Sequence, residues 1–212
     1  LPMIALLASA LTIAGIWAAF FMARLARSLQ QSEVKNRRLA HEDSLSGLHN
    51  RLSFQGRLDS AIHSLPTPFA IIGCDLDRFK AVNDTYGHAA GDCVIRTVAE
   101  RLRLLIGDNG IIARTGGDEF VILLHSFTDR DRLTLLARAI LDRICDPIDL
   151  DDEKQTDVGV SLGIAIAPDN GTDPTGILAS ADAALYAAKS NGRGIAIFYG
   201  DIASESQIRN AA

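Results

Sequence analysis

Arg114-Thr-Gly-Gly-Asp-Glu-Phe120 lies between two apolar runs, residues 111–113 before it and residues 120–124 after it. Its two glycines give the backbone the freedom that a tight turn needs, so the stretch predicts a β-hairpin. Asp118 and Glu119 leave this turn where the second strand begins. Adjacent turn acids are often no more than solvated, so their role depends on a second acidic cluster earlier in the chain.

The second cluster is Cys74-Asp-Leu-Asp-Arg-Phe-Lys80, which ends an apolar run predicted to be a buried strand over residues 69–76. Asp75 and Asp77 are two residues apart, so on an extended backbone their side chains point to the same side. Ionised carboxylates at the end of a buried strand are costly unless a positive charge compensates them. A divalent cation held by Asp75 and Asp118 would supply that charge, and Mg²⁺ is the usual choice when phosphates are also bound. Either cluster alone fits a solvated turn, whereas two clusters at neighbouring strand ends predict a metal site.

Polar and basic residues further along the chain predict a nucleotide site. Asp92 can accept hydrogen bonds from the N1–H and N2–H₂ groups of guanine, and Asn83 can both donate and accept. A turn at Asn83 and a helix N-cap at Asp92 are the structural alternatives. Lys80, Lys189 and Arg193 add positive charge suited to phosphates. The last two flank a predicted helix C-terminus, where compensation of the helix dipole is the alternative explanation.

The spacing of apolar residues predicts a mixed α/β (α+β) domain in which helices pack on one central sheet. The predicted helices cover residues 52–65, 92–106, 129–145 and 174–189. The predicted strands cover residues 69–76, 158–166 and 195–199, in addition to the hairpin at 111–125. The net charge of −5 argues against a nucleic-acid partner.

The first residues of the chain predict a membrane anchor. Residues 1–23 contain no charged side chain, and a helix of that length reaches roughly 33 Å, enough to cross the apolar core of a bilayer. Basic residues between Arg24 and Arg38 place the following domain in the cytoplasm by the positive-inside bias. We therefore expect a single transmembrane helix in the inner (cytoplasmic) membrane, with the catalytic domain in the cytoplasm. Because the chain begins with Leu1, we expect it to be the C-terminal piece of a longer protein.

Residues 24–42 contain neither Gly nor Pro and predict a helical signalling stalk. Five residues at a three-four spacing (Leu25, Leu29, Ser32, Asn36 and Leu39) fit a two-stranded seam that is weak because two of them are polar, and a solvated linker helix is the equal alternative. If the seam forms, the stalk sets how two copies of the following domain face each other.

Five ordered motifs resemble those of GGDEF-domain diguanylate cyclases of the membrane-anchored, bacterial type. They are Asp43-Ser-Leu-Ser-Gly-Leu-His-Asn-Arg51, Asp75-Leu-Asp-Arg-Phe-Lys-Ala-Val-Asn-Asp84, Gly87-His-Ala-Ala-Gly-Asp92, Gly116-Gly-Asp-Glu-Phe120, and Ala181-Asp-Ala-Ala-Leu-Tyr-Ala-Ala-Lys189 followed by Gly192-Arg193. The resemblance covers about residues 43–200 and leaves 201–212 as a C-terminal tail. It implies a fold like the palm of nucleotidyl cyclases and polymerases, with a central, mostly antiparallel sheet flanked by helices.

The resemblance also implies a role for each matching residue. Two Mg²⁺ ions per active site, which Mn²⁺ can replace, would be held by Asp75, the backbone carbonyl of Leu76, Asp118 and Glu119. The catalytic residues would be Asp118, Glu119 and Lys80, with Glu119 assisting the second ion or taking the proton of the nucleophile. GTP would be bound at its base by Asn83 and Asp92, near its ribose by His88, and at its phosphates by Lys80, Lys189 and Arg193.

The implied activity is the condensation of two GTP molecules into cyclic di-GMP with release of two pyrophosphates. Each domain would hold one GTP, so two domains must face each other as a homodimer, acting as the output of a membrane-bound sensor. The alternative is a catalytically inactive GGDEF module that binds GTP or a partner. Many family members carry an Arg-x-x-Asp motif before the hairpin, whereas residues 107–110 are Gly-Asp-Asn-Gly here. We therefore expect no product-inhibition site of that type.

Overall fold

The computed structural model describes residues 17, 20–22, 24–25, 40–125, 128–150 and 154–202. The chain divides into two units, Leu1–Ala40 and His41–Ala212. The described residues of the first unit are helical and exposed. The predicted stalk and the C-terminal tail lie largely outside the described residues, so both stay predictions.

The second unit is a mixed α/β domain. Its helices are α1 (Arg51–His63), α2 (Phe79–Tyr86), α3 (His88–Ile106), α4 (Arg130–Ile144) and α5 (Pro174–Ser190), and Gly107–Asn109 forms a 3₁₀ turn. Its strands are β1 (His49–Asn50), β2 (Phe69–Asp77), β3 (Gly110–Gly116), β4 (Glu119–His125), β5 (Ile148–Asp149), β6 (Gln155–Thr156), β7 (Gly159–Ala167) and β8 (Ala196–Phe198). The predicted fold class is confirmed for this unit, and every predicted helix and strand is present with small shifts at its ends.

Six strands form the central sheet in the order β1-β3-β4-β2-β7-β8. The pairs β3–β4, β4–β2 and β2–β7 are antiparallel, whereas β1–β3 and β7–β8 are parallel. All residues of β2 are buried, as befits a strand with neighbours on both edges and helices over both faces. The register sets Asp75 opposite Glu119 of β4 on one edge and opposite Ser161 of β7 on the other. The acidic hairpin therefore lies beside the acidic end of β2, as the sequence predicts.

The two faces of the sheet support two apolar cores. Ala70 and Ile72 of β2 belong to the core built with α3 and α4, whereas Ile71 belongs to the core built with α1 and α5. Because side chains alternate along a strand, Asp75 and Asp77 lie on the face of Ile71. Both carboxylates thus lie at the C-terminal end of β2, on the face that α1 and α5 cover.

The segment between β2 and α3 differs from the prediction. Residues 79–86 form helix α2, for which the sequence predicts no element, and α3 begins at His88, four residues before the predicted start. Arg78 precedes α2 in the left-handed conformation, at φ 61°, and Gly87, at φ 83°, separates α2 from α3. The turn at Asn83 and the N-cap at Asp92 are therefore wrong as alternatives, because both residues lie inside helices.

The predicted membrane location is corrected by the structure. A span needs about 20 consecutive apolar residues in one helix, and no helix among the described residues is long and apolar enough to cross a bilayer. Most of residues 1–23, on which the prediction of a transmembrane helix depended, lie outside the described residues. The predicted inner-membrane localisation is thus contradicted, and for the described residues the fold class is retained without a transmembrane helix.

Gly163 of β7 allows α5 to approach the sheet closely. A Cβ at this position would collide with backbone atoms of Ala181 and Leu185 in α5. We expect Gly163→Ala to lower the free energy of unfolding by about 1–3 kcal/mol, because strand and helix must separate to admit the methyl group. Urea unfolding measures this change. Gly56→Ala is the control, since a Cβ there meets nothing within 4 Å and Ala favours helix; equal midpoints for the two variants would contradict the close approach.

Candidate active site at the end of the central sheet

An ion pair lies where β2 meets a cleft between α1 and α5. Lys189 Nζ is 2.6 Å from Asp75 Oδ2. Both residues and Glu119 line a cleft of about 570 Å³, whose remaining wall is mostly apolar and includes the exposed Tyr186. The sequence predicts Lys189 as a phosphate-binding residue, and in the structure its ammonium group forms an ion pair with a carboxylate of the sheet.

The charge of Asp75 is only partly compensated. Burial is the largest cause that raises the pKa of Asp75 above its ordinary value. The carboxylates of Asp118 and Asp77 raise it further, and the contact with Lys189 opposes them. The net direction is upward, because burial and the neighbouring carboxylates outweigh the contact with Lys189.

Arg114 fixes the shape of the hairpin turn. Its Nε and Nη2 atoms donate hydrogen bonds to the carbonyl oxygen of Gly117 at 3.0 and 2.7 Å. The backbone N–H of Leu76 donates to the carbonyl oxygen of Asp118 at 3.2 Å. Because the N–H and C=O groups of one strand residue point to the same side, the Leu76 carbonyl also faces the hairpin. The turn that presents Asp118 and Glu119 is thus held both by Arg114 and by the end of β2.

The first residues of the domain bond to the same turn. Asp43 Oδ1 accepts hydrogen bonds from the N and Oγ atoms of Ser46, at 2.8 and 2.7 Å, and from Arg114 Nη1 at 3.0 Å. Burial acts to raise the pKa of Asp43, but the hydrogen bonds from Ser46 and the charge of Arg114 outweigh it and hold the pKa below its ordinary value. The sequence places Asp43 and Ser46 in one motif but gives no local sign of their partner, which is 71 residues away.

The predicted purine-binding residues lie on the adjoining helices α2 and α3. The side-chain oxygen of Asn83 packs over Gly91, where any Cβ would collide with it. Asp92 follows Gly91 in α3 and is exposed, as is His88 at the start of that helix. The structure therefore brings Asn83 next to the turn of α3 that carries Asp92, with His88 and Asp92 open to solvent.

Three further cations are available at this end of the domain. Lys80 is exposed in the first turn of α2, and Arg78 and Arg193 line a second cavity of about 460 Å³ between α2, the start of β7 and the α5–β8 loop. Within the described part of the chain, none of these three side chains forms a hydrogen bond or an ion pair. Such unpaired cations favour an anionic ligand.

Asp77 has different partners from Asp75. It is buried, and its Oδ1 and Oδ2 atoms accept hydrogen bonds from Ser161 Oγ at 2.8 Å and from the backbone N–H of Gly194 at 3.0 Å. The two carboxylates share a face, as predicted, but only Asp75 contacts a cation.

The predicted metal ligands are near one another without forming a ready-made cluster. Among the residues that the structure describes, no three His, Cys, Asp or Glu side chains converge closely enough to hold a metal ion. Asp75 is paired with Lys189, and Glu119 is exposed. A site formed by Asp75, Leu76, Asp118 and Glu119 therefore stays a prediction.

Fold and site together define an α/β domain whose central hairpin presents acidic residues at the end of a mostly antiparallel sheet. Residues 40–194 match the family described as diguanylate cyclase, GGDEF domain. The chain belongs to this family. The resemblance found in its motifs is confirmed, and with it the prediction of a diguanylate cyclase domain.

Known relatives agree with this assignment. The chain is 37% identical over 169 residues to diguanylate cyclase TpbB of Pseudomonas aeruginosa, covering 78% of this chain and 39% of TpbB. The GGDEF domain of TpbB superposes with a TM-score of 0.72 at 36% identity, covering 75% of this chain and 94% of that one. The coiled coil and GGDEF domain of DgcB from Caulobacter crescentus, in complex with c-di-GMP, gives a TM-score of 0.74 at 29% identity and covers 84% and 98% of the two chains. The chain spans 22%, 21% and 39% of the lengths of three curated relatives that it matches.

The link between Asp43 and Arg114 has a testable pH dependence. Because the pKa of Asp43 is lowered in the fold from its ordinary value of 3.8, its contribution to stability is complete above that value and is lost as pH falls through the folded pKa. We expect Asp43→Asn to lower the free energy of unfolding by about 1 kcal/mol at pH 7, since the pair is partly solvated. Urea unfolding from pH 7 down to pH 3 should show the gap to the unmodified protein closing.

Matched arginine variants separate the ion pair from a general charge effect. Arg114→Gln should be destabilising at pH 7, whereas Arg138→Gln, at an exposed position of α4, should have little effect. If Asp43→Asn lowers the free energy of unfolding by the same amount at pH 7 and at pH 3, the charge of the Asp43 carboxylate does not stabilise the fold.

Proposed function

We propose that the second unit condenses two molecules of GTP into cyclic di-GMP and releases two pyrophosphates. The observation that carries this proposal is the position of Asp75, a buried carboxylate of the central strand that meets the acidic hairpin on one side and Lys189 on the other. Membership of the GGDEF family and the names of the relatives support it.

The donor set at this site fits a divalent metal ion, which GGDEF diguanylate cyclases generally use. Asp75 and Asp118 would hold the ion, together with the Leu76 carbonyl, which faces the hairpin, and Glu119. The observation that supports this fit is the donor set itself, because Asp75 lies opposite Glu119 and the backbone of Leu76 bonds to that of Asp118. Mg²⁺ is the metal that we propose. When bound, it supplies Lewis-acid stabilisation of the charge that develops on the reacting phosphate.

Side chains around α2 and α5 would orient the substrate. Asn83 and Asp92 would bind the guanine edge, because a carboxylate accepts from the two N–H groups that adenine lacks. His88 at the start of α3 would lie near the ribose. The phosphates would contact Lys80 and Arg193, whose side chains are exposed, and Lys189 once a metal ion takes over its role beside Asp75.

The reaction joins two nucleotides, so two copies of the domain must meet. The 3′-hydroxyl oxygen of one GTP attacks the α-phosphorus of the other, and the bond to the β-phosphate bridging oxygen breaks to release pyrophosphate. The Glu119 carboxylate would accept the proton of the attacking hydroxyl. The same step in the opposite direction closes the ring. A homodimer with facing sites would supply the positioning on which the rate depends.

A GTP-binding module without turnover is the second candidate. The ion pair between Lys189 and Asp75 favours it, because this pair engages the carboxylate that a metal ion would need. Product formation distinguishes the two functions.

The decisive experiment incubates residues 38–212 with Mg²⁺ and GTP, and with ATP in parallel, followed by mass spectrometry of the products. We expect cyclic di-GMP from GTP alone. Asp118→Ala should lower the rate by about 10³-fold or more, because it removes a ligand of an ion whose contribution is several kcal/mol. Asp169→Ala, in an exposed turn at the far end of β7, should retain full activity. GTP binding without any cyclic di-GMP would instead establish the non-catalytic module.

Product inhibition provides a separate test of residues 107–110. Gly107–Asn109 forms a 3₁₀ turn, and Asn109 Nδ2 donates to the carbonyl oxygen of Ile106 at 3.1 Å. This segment offers one acid, Asp108, and no arginine, so it cannot form the bidentate contacts with phosphate that arginine makes. We expect added cyclic di-GMP to leave the initial rate unchanged up to about tens of micromolar, a concentration that would saturate a site with a dissociation constant near 1 μM. Tight inhibition abolished by Asp108→Ala would contradict this expectation.

A further inference from the structure

Asp77 is a buried carboxylate to which the proposed reaction assigns no role. It lies two residues from Asp75 on the same face of β2 and is 9% exposed. A buried carboxylate is costly unless hydrogen bonds or charges stabilise it. Its partners therefore indicate what it does.

Both oxygens of Asp77 hold other parts of the chain. Ser161 Oγ, fully buried in β7, donates to Oδ1 at 2.8 Å. The backbone N–H of Gly194 donates to Oδ2 at 3.0 Å. The carboxylate fits beside β7 because Gly159 lacks a side chain, since a Cβ there would lie 3.2 Å from Oδ2 and 3.3 Å from the Cβ of Asp77.

Gly194 ends a loop with an unusual backbone. Gly192, Arg193 and Gly194 have φ angles of 114°, 67° and 64°. Arg193 thus takes the left-handed conformation, which a residue with a Cβ adopts only when its surroundings hold it there. Backbone hydrogen bonds hold the two ends of the loop: Asn191 N and Arg193 N donate to the carbonyl oxygens of Ala187 and Ala188, and the carbonyl oxygen of Ile195 accepts from Leu162 N. Between these ends, the hydrogen bond from Gly194 N to Asp77 joins the loop to a side chain of β2.

We propose that Asp77 is a positioning residue for Arg193. By accepting the Gly194 N–H, Asp77 fixes the α5–β8 loop against the end of β2 and keeps the Arg193 guanidinium at the cavity that it shares with Arg78. A hydrogen bond to a carboxylate is stronger than one between neutral groups, which suits an anchor that must hold a strained loop. The inference deepens the proposed function, because it assumes that Arg193 contacts the phosphates of GTP.

The competing role for Asp77 is that of a metal ligand, given its distance of two residues from Asp75. The two roles predict different behaviour of Asp77→Asn. An asparagine oxygen can accept the Gly194 N–H, and the Ser161 hydroxyl can rotate to accept from the asparagine amide. Asparagine would therefore preserve the anchor, whereas loss of a ligand charge would weaken metal binding.

The experiment measures kcat, KM for GTP and the Mg²⁺ concentration for half-maximal rate. We expect Asp77→Ala to raise KM about tenfold, as for loss of one charge-assisted hydrogen bond, with a smaller effect on kcat and no change in the Mg²⁺ requirement. Asp77→Asn should restore KM to within about threefold of the unmodified protein. Asp157→Ala is the control, because this exposed carboxylate lines the same cavity without contacting the loop.

A double variant tests the connection to Arg193 directly. If Asp77 acts through Arg193, then Asp77→Ala combined with Arg193→Ala should raise KM no more than Arg193→Ala alone. Circular dichroism and thermal unfolding establish that each variant is folded, and Asp77→Asn carries the test if Asp77→Ala does not fold. Additive effects on KM, or an Asp77→Asn protein that needs more Mg²⁺, would overturn the inference.

Binding of GTP separates failure of this inference from failure of the proposed function. Titration calorimetry with GTP and Mg²⁺ should show weaker binding by Asp77→Ala and by Arg193→Ala, whether or not the protein turns over. If no cyclic di-GMP forms but both variants still bind GTP more weakly than the unmodified protein, the proposed function is refuted and the inference is supported. Normal turnover with unchanged GTP binding by Asp77→Ala would refute the inference alone.

Discussion

The structure depends on a constraint at the end of β2, where carboxylates must be accommodated on a strand that is buried along its whole length. Neighbouring strands occupy both edges of β2 and helices cover both faces, so Asp75 reaches solvent only at the cleft between α1 and α5. Lys189 provides the contact that makes the arrangement tolerable, at 2.6 Å, but the pKa of Asp75 remains raised. The candidate active site lies at this strand end, where a buried carboxylate with a perturbed pKa meets a lysine and the acidic hairpin.

Much of the fold follows from local sequence because its elements are marked by strong signals. The hairpin is set by two glycines between apolar runs, and α5 begins at Pro174, as predicted, with Asp173 as its N-cap. The mostly antiparallel order of the sheet follows from the family resemblance rather than from these signals. Helix α2 was missed because its eight residues are mixed in polarity and contain a β-branched valine, so that turn formers such as Asn83 dominate the local pattern.

The contacts that complete the site could not be predicted, since each joins residues that are distant in sequence. Asp43 meets Arg114 across 71 residues, and Asp77 meets Gly194 across 117. Periodicity reports which face of an element is buried, but it does not report which polar groups meet when the elements pack. The partner of Lys189 depends on the packing of α5 against the sheet, which Gly163 permits.

The two carboxylates of β2 show how one strand can supply groups with different properties. Asp75 and Asp77 have the same burial and the same direction, so their difference comes from their neighbours alone. Asp77 lies opposite Gly159, which leaves room for it to meet a backbone N–H, whereas Asp75 lies between Ser161 and the acidic hairpin. Hydrogen bonds from uncharged donors hold a carboxylate in place without bringing a cation to it. The residue nearer the hairpin therefore pairs with a lysine, whereas the residue beyond it bonds to the loop between α5 and β8.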